Sequence, residues 1–231
     1  MKTFRAYLRE SLTLRQLKDA LDETPPEGGA DAYPKFLHLH GISYTELNSL
    51  DRQTTIYSFK IEGKPFVLED GDDRVRDAYD WLEAVDPEAW VDMPDFSREF
   101  WQSPSTLYHA TQTNLVPSIL KNGLNATSQS RGMGNRSVGG AVFTVTDVEL
   151  LSDGSYGNSI FEIDAPQMKR DGRTPTVERE PSIVEYEARE ALAARVSRDI
   201  YLERSSDYEG EWADTVIVHG SIAAKYLRLM D

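Results

Sequence analysis

From Leu107 to Asp164 the apolar positions change period, and the changes mark a run of elements. Leu107, Tyr108 and His109 form a short strand that ends at polar Thr111, Gln112 and Thr113. Asn114 is placed to cap a helix whose early Pro117 brings a pre-set φ where a missing N–H costs nothing. Leu115, Val116, Ile119 and Leu120 recur at helical spacing, and Gly123 followed by apolar Leu124 predicts a glycine stop of Schellman type. A glycine-rich loop, Ser128 to Gly140, leads into a second strand at Gly140 to Val145, and Ile160 to Ile163 predicts a third.

Before this stretch, Met1 to Asp22 predicts one or two amphipathic helices, with Phe4, Tyr7, Leu8, Leu12, Leu14, Leu17 and Leu21 at mixed spacing. Glu23 to Pro34 is rich in proline and glycine and predicts a linker. Lys35 to Gly41 predicts a strand with His38 and His40 on one face. Without a cysteine or a nearby carboxylate cluster, that pair predicts a structural or surface role and no metal site. Thr54 to Glu69 predicts a hairpin turning at Glu62-Gly63-Lys64, and Asp73 to Val85 predicts a helix with an acidic first turn. Trp90, Phe96, Phe100 and Trp101 predict a docking segment, and the change of composition near Ser103-Pro104 sets a domain boundary. After the central stretch, Ala165 to Glu180 predicts a polar loop and Pro181 starts a helix of about sixteen residues. Asp199 to Glu203 predicts a short strand, Arg204 to Trp212 a loop, and Thr215 to Val218 a buried strand.

The 231 residues carry a net charge of −14. That acidity argues against a protein wrapped by nucleic acid, because phosphates need basic faces. No cysteine is present, so thiol chemistry and disulfides are excluded. No apolar run is long enough to span a bilayer, and no secretory signal opens the chain. No GxGxxG motif precedes a helix, which removes support for a Rossmann reading.

The order of landmarks resembles the ADP-ribosyltransferase fold. Tyr108-His109-Ala110-Thr111 is similar to that fold's opening Tyr-His-x-Thr strand, and Ile119 to Leu124 to its "Ile-Leu-x-x-Gly-Leu" helix end. Gly140-Ala141-Val142-Phe143 resembles the "Gly-x-Tyr-Phe" strand, Tyr156-Gly157 a downstream Tyr-Gly, and Glu209 to Asp214 the acidic segment before the last core strand. The resemblance implies an α+β protein: an ADP-ribosyltransferase-like split β-sheet domain over 105–231, preceded by a smaller α+β region over 23–104 and a helical or targeting segment over 1–22. It implies an enzyme that takes NAD as substrate without a metal and transfers ADP-ribose to a host protein, with nucleic acid the less expected acceptor.

By the same resemblance, His109 would bond a ribose hydroxyl, the Ala110 backbone would grip the nicotinamide amide, and Tyr108 and Thr111 would frame that strand. Tyr156 would stack on nicotinamide. The other usual stacking tyrosine falls on Val142 or Phe143, so Phe143 substitutes if it faces inward. Arg131, with Arg136, would meet phosphate. The catalytic carboxylate is expected at Glu211 first, Asp214 second and Glu209 third, since Glu209-Gly210-Glu211 resembles the Glu-x-Glu of arginine-modifying transferases. Finally, Met1 to Glu10 is similar to the targeting peptide of proteins packaged in tailed-phage heads, which implies delivery from a capsid interior to the host cytoplasm and cleavage after Glu10. Two rival readings stand beside this one: a catalytically inactive virion structural or interaction protein, and an RNA 2′-phosphotransferase-like enzyme.

Overall fold

A computed structural model of the chain describes residues 12–26, 31–72, 74–126, 139–207 and 215–230. The chain is α+β, with two antiparallel sheets of four and six strands. It divides into two compact units: residues 1–93 with 185–209, and residues 94–184 with 210–231. Among the described residues no helix is long and apolar enough to cross a membrane.

The first unit opens with α1 (Leu14–Glu23) and α2 (Ala32–Leu39). A capping box starts α1: the Thr13 hydroxyl accepts from the Gln16 N–H, and the Gln16 side chain accepts from the Thr13 N–H at 2.8 Å. The strand expected at Lys35 to Gly41 is therefore corrected to the end of a helix. Tyr33 and Leu37, four residues apart, are the buried positions there, and that spacing outweighs the local alternation around His38 and His40. The four-stranded sheet follows in sequence order: β1 (Tyr44–Asn48), β2 (Thr55–Ile61), β3 (Lys64–Glu69) and β4 (Val75–Asp77). Glu62 and Gly63 both take positive φ, which makes the hairpin turn the tight two-residue kind that matches strand twist. β2 and β3 pair over six registered positions.

One face of this sheet presents Tyr57, Phe59, Ile61, Phe66 and Leu68 to Leu17, Leu21, Tyr33 and Leu37 of α1 and α2. The other presents Ile56 and Val67 to α3 (Ala78–Ala84), the later turns of α7 (Pro181–Val196) and α8 (Arg198–Asp207). Ser58 is the polar interruption on that face, and its hydroxyl donates to the Val196 carbonyl at 2.6 Å, a carbonyl at the end of α7. The expected strand at Asp199 to Glu203 is corrected to α8, which also takes in Arg204 to Asp207 of the expected loop; the rest of that loop lies outside the described residues. Ile200 is fully buried against the helices around it, a tertiary contact that overrides the strand-like composition.

The second unit begins at Pro94 rather than Ser103-Pro104, because α4 (Phe96–Gln102) belongs to its core through Phe100 and Trp101. The aromatics expected to form a docking segment fall in both units. Trp90 packs edge-on against Trp81 in the first unit, and Trp101 donates its indole N–H to the Pro175 carbonyl at 2.8 Å in the second. The six-stranded sheet has the order β10-β7-β5-β6-β9-β8. Its strands are β5 (Leu107–Thr111), β6 (Ala141–Val145), β7 (Ser159–Ile163), β8 (Val177–Arg179), β9 (Thr215–His219) and β10 (Leu227–Leu229). Between β5 and β6 lies α5 (Val116–Asn122), preceded by a 3-10 turn, Thr113–Leu115, that starts without a side-chain cap; Asn114 is inside that turn and caps nothing. Gly123 ends α5 with φ +83 but an extended ψ, so the stop is a glycine stop that is not of Schellman type. A Cβ at Gly123 would overlap the Ile222 carbonyl oxygen. The polar loop expected from Ala165 contains α6 (Ala165–Arg170), capped by Asp164, and β8.

Candidate functional site

The six strands form two sets of three. β5 and β7 are registered at five positions, and so are β6 and β9, but β5 and β6 meet only at Tyr108↔Val145. Beyond that pair the two strands part. One face of the sheet is filled by Leu107, Val142, Phe161, Ile163, Val216 and Val218 with α4, α5 and α6, while Tyr108, Ala110, Val145 and Ile160 lie on the other with Leu151. Side chains alternate between faces, so His109 should not share a site with Tyr108 and Ala110. Yet all three line one pocket, because the parting of β5 and β6 opens the sheet at that point.

The pocket has a volume of about 120 Å³ and is also lined by Phe143, Thr144, Tyr156 and Thr215. Complete small-molecule sites run from about 300 to 1,000 Å³, so this one holds a single ring and not a whole dinucleotide. Five residues expected from the sequence are brought together here: Tyr108, His109, Ala110, Phe143 and Tyr156. Phe143, whose facing the sequence left open, does line the pocket. Thr111 is buried beside the group without lining it. Arg131, Arg136, Glu209, Glu211 and Asp214 lie outside the described residues, as does Met1 to Glu10. What the structure adds is Thr215: it is the residue after Asp214, it opens β9, and it is part of the pocket wall.

His109 is the chemical centre of the wall. Its Nδ1 is 2.8 Å from the Phe143 carbonyl oxygen, across the gap that the missing ladder leaves. A carbonyl can only accept, so Nδ1 carries the proton and donates it. Burial pushes the imidazole pKa below its ordinary 6.5, with the bond to Phe143 opposing that shift. The ring is therefore neutral at physiological pH, with Nε2 left as a lone-pair acceptor. Thr144 is buried under the pocket and donates its hydroxyl to the Val216 carbonyl at 2.7 Å, which ties β6 to β9. No lysine or arginine among the described residues lines the pocket. Among the described residues no group of three or more His, Asp or Glu is placed to hold a metal ion.

Sequence reasoning missed Thr144, Val145, Leu151 and Thr215. The first two lie in an expected strand whose partner strand was not predictable. Leu151 belongs to a 3-10 turn, Val148–Leu151, begun by Asp147 accepting from the Glu149 N–H at 2.9 Å; that Asp-x-Glu spacing is the one local signal available. A second, broader cleft of about 690 Å³ lies in the first unit, lined by Ile61, Phe66, Asp77 and Trp81 among others. It contains none of the expected residues. No protein-family model, curated protein or solved structure matches the chain.

Proposed function

We propose that this protein is an NAD-dependent mono-ADP-ribosyltransferase and that the pocket between β5 and β6 receives the nicotinamide end of NAD. The observation that supports this best is one of position. The parted strands gather His109, Phe143 and Tyr156 around a ring-sized space, and they bring the residue following Asp214 to its wall.

The reaction breaks the bond between C1′ of the ribose and the nicotinamide nitrogen. Nicotinamide leaves with the bonding pair and becomes neutral, C1′ passes through an oxocarbenium-like state, and an acceptor side chain bonds to C1′ and loses a proton. Such a site needs aromatic walls for the leaving ring, a neutral acceptor for a ribose hydroxyl and a carboxylate beside the developing cation. Tyr156 and Phe143 would supply the walls. His109, held neutral by burial with Nδ1 committed to Phe143, would accept a hydrogen bond from the ribose hydroxyl at Nε2. Glu211 or Asp214 would supply the charge; Thr215, the residue that follows Asp214 in the chain, is part of the wall. An acceptor on a host protein fits the net charge of −14 better than nucleic acid does. Among the described residues no cation lines the pocket to meet an RNA phosphate, and Arg131 and Arg136 lie outside them.

The test is incubation of the full chain with adenylate-labelled NAD and host lysate. A discrete labelled protein is expected, with the rate lowered about 10²–10³-fold in Glu211→Gln or Asp214→Asn, the scale of removing one such electrostatic group. Absence of both label and nicotinamide release would leave an inactive interaction protein as the reading.

A further inference from the structure

Residues 152–158 form a tight loop between the Val148–Leu151 turn and β7. Asp153 holds the near side, accepting from the Ser155 N–H at 2.9 Å and from its hydroxyl. Gly157 closes the far side, donating its N–H to Gly154 at 3.1 Å. Its φ is +133, a conformation that side chains with a Cβ rarely adopt.

Space constrains this position more than torsion does. A Cβ on Gly157 would overlap the carbonyl carbon and oxygen of Thr111 and lie 2.8 Å from the Gln112 nitrogen. These are backbone atoms at the end of β5, where Thr111 is registered against Ser159 and Thr113 Oγ1 meets Ser159 Oγ at 2.9 Å. They have no flexible side-chain end to give way, so the loop lies on β5 only because residue 157 is glycine. Tyr156, one residue earlier, lines the pocket with 43 % of its surface exposed. Among the described residues no side-chain hydrogen bond fixes its ring, so the main chain on either side must set where it stands.

We propose that Gly157 is a positioning residue of the pocket: it seats the 152–158 loop on the Thr111 backbone and thereby holds the Tyr156 ring at the pocket wall. A side chain at 157 would withdraw that ring without itself meeting the ligand. The consequence for NAD rests on the transferase reading, while the placement of the ring does not.

The experiment labels the full chain with 3-fluorotyrosine and assigns the Tyr156 fluorine resonance with Tyr156→Phe. In Gly157→Ala that resonance is expected to move toward its position in the unfolded chain, while those of Tyr33 and Tyr57 stay in place. NAD binding should weaken about three- to tenfold, the loss of one aromatic stacking contact. The double variant Tyr156→Ala/Gly157→Ala should bind no worse than Tyr156→Ala, because both changes remove the same contact. An unmoved resonance overturns the proposal, and so does a double variant whose losses add. If NAD fails to bind even the unaltered protein, the transferase reading falls and the fluorine shift still decides the role of Gly157. If Gly157→Ala does not fold, the unaltered protein is read instead: an NOE between the Gly157 α protons and the Gln112 amide supports the seating, and its absence overturns it.

Discussion

The two sheets of this protein solve the same packing problem in opposite ways. In the first unit every neighbouring pair of strands is zipped, β2 and β3 over six positions, and both faces are filled by helices bearing Leu17, Leu37, Trp81 and Leu192. In the second unit the sheet is joined at its centre by one registered pair, and a histidine ring takes the carbonyl that a ladder would have used. A complete ladder satisfies its own polar groups and leaves no opening between its strands. A parted one leaves a carbonyl, a wall of apolar side chains and a space of about 120 Å³. The comparison separates a sheet closed strand to strand, whose cleft lies outside the ladder, from a sheet that opens between two of its own strands.

The largest expected effect falls on the solid half. Trp81 is 2 % exposed and packs on Trp90, so Trp81→Ala should lower stability by about 3–5 kcal/mol, read by urea denaturation. A loss below 1 kcal/mol there would mean the first core is looser than its packing indicates. In the second unit, Gly123→Ala must move the Ile222 carbonyl and adopt φ +83, which should cost about 1–3 kcal/mol in the same assay. Thr144→Val keeps the shape under the pocket but removes the bond to Val216, for an expected loss of about 0.5–1.5 kcal/mol. If NAD binding vanished in Thr144→Val with stability intact, the Thr144 hydroxyl would be bonding the ligand from the pocket wall and not only holding Val216.

The finest test is pH. The His109 pKa lies below its unfolded value of 6.5, so the unfolded chain binds a proton that the folded chain resists. The contribution of His109 to stability is thus complete above pH 6.5 and is lost as pH falls from there through the lowered folded pKa. Thermal denaturation of the unaltered protein should show a steeper fall between pH 7 and pH 5 than His109→Gln does, in parallel with weakened NAD binding over the same window. Equal slopes would show that the imidazole is not desolvated in the parted sheet.

Asp171 offers a contrast at the surface. The Lys225 ammonium, the Tyr226 hydroxyl and Gln167 hold its carboxyl down to about 2, with Lys225 at 2.6 Å the first cause. Its stabilisation is present above the ordinary carboxylate range and disappears only as pH falls toward 2, so it leaves the pH 5–7 window to His109.

Local chemistry in the chain was enough to place the hairpin at Glu62-Gly63, the Gly123 stop, the helix from Pro181 and the strands at Leu107, Ala141, Ser159 and Thr215, because turn torsions and short apolar runs act within a few residues. It was not enough for Lys35 to Gly41 or Asp199 to Glu203, where alternation pointed to strands and burial of Leu37 and Ile200 against distant partners made helices. The residue types around the pocket were also legible, in Tyr108-His109-Ala110-Thr111, Phe143 and Tyr156. Their meeting was implied by the resemblance alone and by no local pattern, since it depends on β5 and β6 parting after one pair, on Gly157 lying against Thr111 and on Thr215 reaching the same wall. Contacts between residues tens of positions apart carry no signature in either partner alone, and only the folded chain decides whether a ladder closes or opens.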